Sequence, residues 1–140
     1  MVTKNISIDL PLRLLERTRK KDGKEFWFSC NLNAYTQAAK CTFRRNAIKQ
    51  AYEKTIKPLL DFRQFITSKI SLKYTLYVGT KRRCDLSNVC CIIDKYFSDA
   101  LVNNGIIEDD SYEYIKNVQY VYGGYDKANP RCVVEIKCKE

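Results

Sequence analysis

The sequence predicts a single small α+β domain: a mixed or antiparallel sheet of about four strands packed with two main helices. Three observations predict it. Residues 70–78 and 131–138 alternate apolar and polar side chains with period two. Residues 33–57 and 86–103 repeat apolar side chains at helical spacing. The patterns run strand, hairpin, helix, strand, helix, strand, strand, without internal repeats or a linker. A chain of 140 residues, 45% of them hydrophobic, is one domain and long enough to bury a core.

Each element has a local reason. In residues 2–10, Val2, Ile6, Ile8 and Leu10 share one face with Lys4, and Thr3, Asn5, Ser7 and Asp9 share the other. That is a half-buried strand, and Pro11 ends it. Residues 14–19 and 24–29 flank Lys20-Lys21-Asp22-Gly23, and Asp-Gly is a hairpin turn because both residues tolerate positive φ. The hairpin carries Arg13, Arg17, Arg19, Lys20, Lys21 and Lys24 beside Phe26, Trp27 and Phe28. Such a mixture suits a DNA backbone and unstacked bases, and equally a solvated hairpin with its aromatics in the core.

Residues 33–57 read as one helix, capped by Asn33 and stopped by Pro58. Lys40, Arg44, Arg45, Lys49, Lys54 and Lys57 lie around its polar side, either as a phosphate-facing surface or as an ordinary solvated face. Residues 59–67 read as a helical turn. Residues 70–78 are the clearest strand, with Ile70, Leu72, Tyr74, Leu76 and Val78 on one face, and Gly79 closes it. Residues 86–103 form the second helix, with an apolar stripe from Leu86, Val89, Cys90, Ile93, Phe97, Ala100 and Leu101. Asn88, Lys95 and Asp99 fall together roughly opposite that stripe. Asn103-Asn104-Gly105 stops the helix. Residues 112–122 read as a tyrosine-rich strand, 123–130 as a loop, and 131–138 as the last strand.

The net charge of +9 favours a polyanionic partner, of which nucleic acid is the commonest. The chain has seven cysteines, an odd number, without a C-x-x-C pair, and has no histidine. Histidine-dependent triads are thereby excluded, and classical paired Cys/His zinc motifs are excluded or made improbable. Cys90, Cys132 and Cys138 fall on apolar faces and read as reduced core residues of a cytosolic protein. The N-terminal stretch mixes charges into its apolar residues, unlike a signal peptide, and no apolar run approaches the ~20 residues of a membrane span. The expectation is a cytoplasmic protein.

The chemistry concentrates in residues 81–111. Lys81-Arg82-Arg83 leads to Asp85 at the start of the second helix, where the helix dipole favours an anion. The helix carries Asn88, Lys95 and Asp99, and the turn beyond it ends in Glu108-Asp109-Asp110. Two or three carboxylates suffice to hold Mg²⁺, which aligns water and neutralises charge in phosphodiester cleavage. A lysine nearby stabilises charge on the phosphate. Asp85 and Asp110 are the candidate ligands, provided the turn after Gly105 folds back towards the strand end, and Lys95 is the candidate electrostatic partner. Each also has an ordinary reading: a helix N-terminal acid, an exposed Lys95–Asp99 pair, a solvated acidic turn.

Three pieces of this stretch, Asp85-Leu86-Ser87-Asn88, Lys95-x-x-x-Asp99-Ala100-Leu101 and Gly105 followed by Glu108-Asp109-Asp110, resemble the RusA family of Holliday-junction resolvases, above all its bacteriophage branch. The resemblance implies a small α+β fold, a homodimer and Mg²⁺-dependent paired nicking of a four-way DNA junction, with Mn²⁺ able to serve. It also implies a phage-borne protein in the cytoplasm of a bacterial host. Asp85 and Asp110 would be metal ligands, with Asp109 able to substitute. Lys95 would match the family's essential lysine, and Asn88 and Asp99 would orient the site. Lys81, Arg82, Arg83, Arg19, Lys20, Lys21, Arg44 and Arg45 would face DNA. Two departures stand out. Ser87 occupies the place of a second acid, and the gap from Asn88 to Lys95 is longer than in the short family form by about one helical turn.

Overall fold

A computed structural model describes residues 3–60, 66 and 68–139. The period-two stretches build its main sheet. Strands β1 (Thr3–Leu10), β4 (Ile70–Val78), β5 (Ile115–Tyr125) and β6 (Arg131–Lys139) lie in the order β1-β6-β4-β5. The β4–β5 pair is parallel, and β6 is antiparallel to both β1 and β4. The parallel pair needs a crossover, and helix α3 (Leu86–Asn103) supplies it. A separate hairpin of β2 (Arg13–Thr18) and β3 (Glu25–Ser29) turns through Gly23, whose φ of 72° favours glycine. Helices α1 (Leu32–Ala39) and α2 (Thr42–Ile56) complete the α+β domain.

One face of the sheet makes the core. Ile70, Leu72, Tyr74 and Leu76 of β4 and Cys132, Val134, Ile136 and Cys138 of β6 are all buried. Burying one such aliphatic or aromatic side chain contributes about 1.5–3 kcal/mol. The cysteines Cys90, Cys132 and Cys138 are buried, as their apolar faces predict. Helix α3 is buried on more than the expected stripe, because Ile92, Tyr96 and Ser98 are buried too. The sheet covers one side of α3, and α1 and α2 cover another. Tyr96 carries that second contact, stacked on Tyr52 at 5.1 Å between ring centroids and edge-on to Phe28 and Tyr35.

A polar clamp fixes α3 on the sheet. The half-buried Asp94 carboxylate accepts from the Tyr74 hydroxyl at 2.7 Å, from Ser98 Oγ at 3.1 Å and from the Tyr120 hydroxyl at 3.4 Å. Burial, with Asp94 alongside, pushes the Tyr74 hydroxyl well above its ordinary pKa, so it stays a donor. Replacing Asp94 with Ala strands the buried Tyr74 hydroxyl. A loss of about 1–3 kcal/mol is expected in urea unfolding, and an unchanged midpoint would show that the clamp carries no stability.

The structure corrects several expected boundaries. The helix expected over 33–57 is two helices, and the cap is Asn31, whose side chain accepts from the Ala34 amide at 2.8 Å, not Asn33. The break falls at Lys40–Cys41, where Cys41 is extended and Cys, Thr and Phe follow one another with weak helix propensity. Each piece packs on α3 separately. Of the helical turn expected over 59–67, Leu59 and Leu60 lie in a 3₁₀ turn, Lys57–Leu60, while residues 61–65 and 67 lie outside the described residues, as does Val2. Strand β5 begins later than expected and continues through Gly123-Gly124, because β4 still offers partners at Tyr77 and Val78. A Cβ on Gly123 would lie 2.8 Å from the Thr75 and Tyr77 side chains, so the close strand approach requires glycine there.

Candidate functional site

The end of β4 and the start of α3 build a basic cleft. After Val78 the chain passes under Pro130, so closely that a Cβ on Gly79 would lie 2.9 Å from its ring. It then runs through Lys81, Arg82 and Arg83, all exposed, to Asp85, the extended N-cap of α3. The Asp85 side chain caps no backbone amide and accepts instead from Asn88 Nδ2 at 3.3 Å. It is thus held at the helix N-terminus, where the dipole stabilises its charge. Across the sheet edge, Tyr122 and Tyr125 are 59% and 45% exposed, unusual for aromatic rings beside a core. These residues line an open cleft of about 630 Å³, floored by Leu76, Val78 and Leu86.

The cleft is electropositive. Lys81, Arg82 and Arg83 face one carboxylate, and no ion pair among the described residues engages any of them. Lys81 Nζ lies 5.4 Å from the Tyr125 ring centroid, so a cation and an aromatic face are presented together. Burial and the neighbouring Asp85 push the Cys84 thiol up, which leaves it neutral and unfit as a thiolate at pH 7.

The other expected site residues lie elsewhere. Lys95 is ten positions along the chain from Asp85, about 15 Å up α3. It lines a second cleft of about 340 Å³ with Tyr35, Arg45, Lys49 and Asp99, its Nζ 5.8 Å from the Tyr35 ring centroid. Lys95 and Asp99 therefore share a face, as their helical phase predicts, and Arg45 joins them. Asn88 alone of the expected orienting residues touches Asp85.

The acidic turn lies at the other end of the sheet. Gly105, at φ 70°, reverses the chain, and Ile106 and Ile107 plug the core. Glu108, Asp109 and Asp110 are exposed beyond them. The Tyr114 carbonyl accepts from the Ile70 amide at 2.8 Å, which puts this turn beside the first residue of β4. Asp85 follows the last residue of β4. The 18 residues of α3 also separate the two, a length of about 27 Å. The expected fold-back of the turn onto Asp85 does not occur within one chain.

Of the other cations expected to face DNA, Arg44 and Arg19 are occupied. Arg44 holds the largely buried Glu16 through two hydrogen bonds and ties α2 to β2. Arg19 pairs with Asp22 at 2.6 Å inside the hairpin turn. Lys20 and Lys21 stand exposed at the hairpin tip. Sequence reasoning missed Tyr122 and Tyr125 as cleft residues. The tyrosine density of residues 112–125 was the signal, and only the parallel pairing of β5 with β4 carries it to Asp85.

No protein-family model and no curated protein sequence matches the chain. No helix among the described residues is long and apolar enough to cross a membrane.

Proposed function

We propose that the chain is a RusA-like, Mg²⁺-dependent endonuclease that binds branched DNA through the cleft at the start of α3. The observation that carries this reading is the cleft itself: three cations and a carboxylate that make no ion pair among the described residues, with two exposed tyrosines, in one open site. Lys81, Arg82 and Arg83 would neutralise phosphates, the sequence-independent part of DNA affinity. Tyr122 and Tyr125 offer faces on which bases unpaired at a branch point can stack, about 1–3 kcal/mol per base. Base pairs at a branch point open more readily than those inside a linear duplex, so the pairing of cations with aromatics favours branched over linear DNA. A four-way junction has two-fold symmetry, and a homodimer would present one site to each of two strands. A bacterial cytoplasm and a phage origin belong to the same proposal.

One chain does not assemble the ligand set that this chemistry implies. Among the described residues no cluster of three or more acidic or thiol side chains could hold a metal, and Asp85 is the single carboxylate of its cleft. Bound at Asp85, Mg²⁺ would supply Lewis-acid polarisation of the phosphodiester. Asn88 Nδ2 donates to that carboxylate at 3.3 Å and would help to orient it toward a metal.

The separation of Asp85 from Asp110 favours a second reading, a branched-DNA-binding protein on the same fold without cleavage. Both readings expect tighter binding to a four-way junction than to duplex, weakening steeply with salt. Titration of both DNAs at two salt concentrations without metal tests this shared part. Equal, salt-insensitive affinities would remove both readings.

A further inference from the structure

We infer that the cleft between α1, α2 and α3 is a second binding site, separate from the Asp85 cleft, for a phosphomonoester dianion that carries an aromatic ring. A nucleoside monophosphate and the phosphorylated end of a DNA strand both present that chemistry. The inference does not rest on the nuclease reading.

Three helices build the site. Arg45 and Lys49, four residues apart, share one face of α2, and Lys95 and Asp99 share one face of α3. Tyr35 of α1 borders the third side. The cleft between them measures about 340 Å³, at the lower end of the range for small-molecule sites.

The first observation is what these side chains leave undone. Among the described residues Arg45, Lys49, Lys95 and Asp99 make no ion pair. Elsewhere Arg19, Arg44 and Arg131 each hold a carboxylate. A lysine placed four residues before an acid is the weaker orientation of a helical pair, and Lys95 Nζ lies instead 5.8 Å from the Tyr35 ring centroid. Asp99 is half-buried, a position where a carboxylate ordinarily finds a donor. Tyr96 also lines the cleft. It is 4% exposed, and its hydroxyl makes no hydrogen bond among the described residues. Burial pushes that hydroxyl up to about 12, so it remains a donor at neutral pH.

The second observation is charge, and it selects the ligand. Three cations face one carboxylate, which leaves an excess of two positive charges. A phosphomonoester carries about −1.5 to −2 near pH 7 and three strong acceptor oxygens. A phosphodiester or a carboxylate, with a single charge, neutralises half of the excess. The guanidinium and the two ammonium groups are donors without acceptor capacity, so they match oxygens that accept. The Tyr35 ring stands beside these cations and offers a wall on which an attached base can lie. Asp99, one turn along α3 from Lys95, repels phosphate and suits the hydroxyl and amino donors of a nucleoside.

The test is calorimetric titration of the full chain with dAMP, with dAMP methylated on its phosphate, and with a short single strand with and without a terminal phosphate. The inference expects dAMP to bind at least about five-fold more tightly than its methyl ester. Arg45→Ala and Lys49→Ala, at exposed positions, should each weaken dAMP about ten-fold and keep the native circular dichroism. A preference for the phosphorylated strand that matches the preference for dAMP makes a DNA end the source of the phosphate. A preference confined to dAMP makes it the free nucleotide. Equal affinity for dAMP and its ester overturns the inference. So does dAMP binding that survives both substitutions, or no binding at millimolar concentration. Failure of the nuclease reading would appear in junction assays and leave this result standing.

Discussion

Asp85→Asn is expected to reduce junction cleavage by more than about 100-fold while leaving junction affinity within about two-fold. The substitution preserves shape and removes only charge. Asp85 is exposed, caps no backbone amide and makes no ion pair among the described residues, so stability should change by less than about 0.5 kcal/mol. Binding is held by the three neighbouring cations and should persist, or tighten slightly as a repulsive charge leaves the cleft. Asp110→Asn should give the same loss. Mixing the two inactive variants separates the arrangements: a site shared between copies regains part of its activity, because one site of each mixed dimer is intact. A site built within one chain regains none.

The second large effect falls on affinity. Lys81→Ala, Arg82→Ala and Arg83→Ala together remove every cation that lines the Asp85 cleft. If each neutralises one phosphate, the slope of log affinity against log salt should become shallower by about 2–3. Removing Arg44 offers a control of opposite character. Its guanidinium is committed to Glu16, so Arg44→Ala should lower stability through the stranded carboxylate and leave the salt slope unchanged. Fluorescence anisotropy across a salt series measures both. An unchanged slope in the triple variant would place the DNA elsewhere, with the Arg45–Lys49–Lys95 cleft the next surface to test.

The α+β class and the ends of α3 were legible because local signals agree there. Asp85 precedes the helix, Asn103-Asn104-Gly105 stops it, and the observed span is Leu86–Asn103. Strands β4 and β6 were legible because strict alternation survives burial on one face. The split of α1 from α2 was not, since it depends on how both pieces meet Tyr96 and the rest of α3. The extension of β5 through Gly123-Gly124 was not either, because two glycines read locally as a loop and only the pairing partner makes them strand. In the site, the adjacency of Lys81, Arg82, Arg83 and Asp85 is a property of consecutive residues and needed no fold. Helical phase correctly put Lys95 with Asp99, but phase says nothing of distance along the axis. That distance is why Lys95 and Asp85 lie in different clefts. The convergence of Asp85 with Asp110 was a tertiary expectation. A parallel β4–α3–β5 unit opposes it, because a crossover helix returns the chain to the start of the sheet.

The central claim is that this chain cuts branched DNA at the α3 cleft. Its most direct test is incubation of an end-labelled four-way junction with the purified protein and Mg²⁺, read on a denaturing gel beside the matching duplex. The account predicts paired, symmetrically placed nicks in the junction and little cutting of the duplex. An intact junction that the protein nevertheless binds tightly would contradict it and leave a branched-DNA-binding protein in its place.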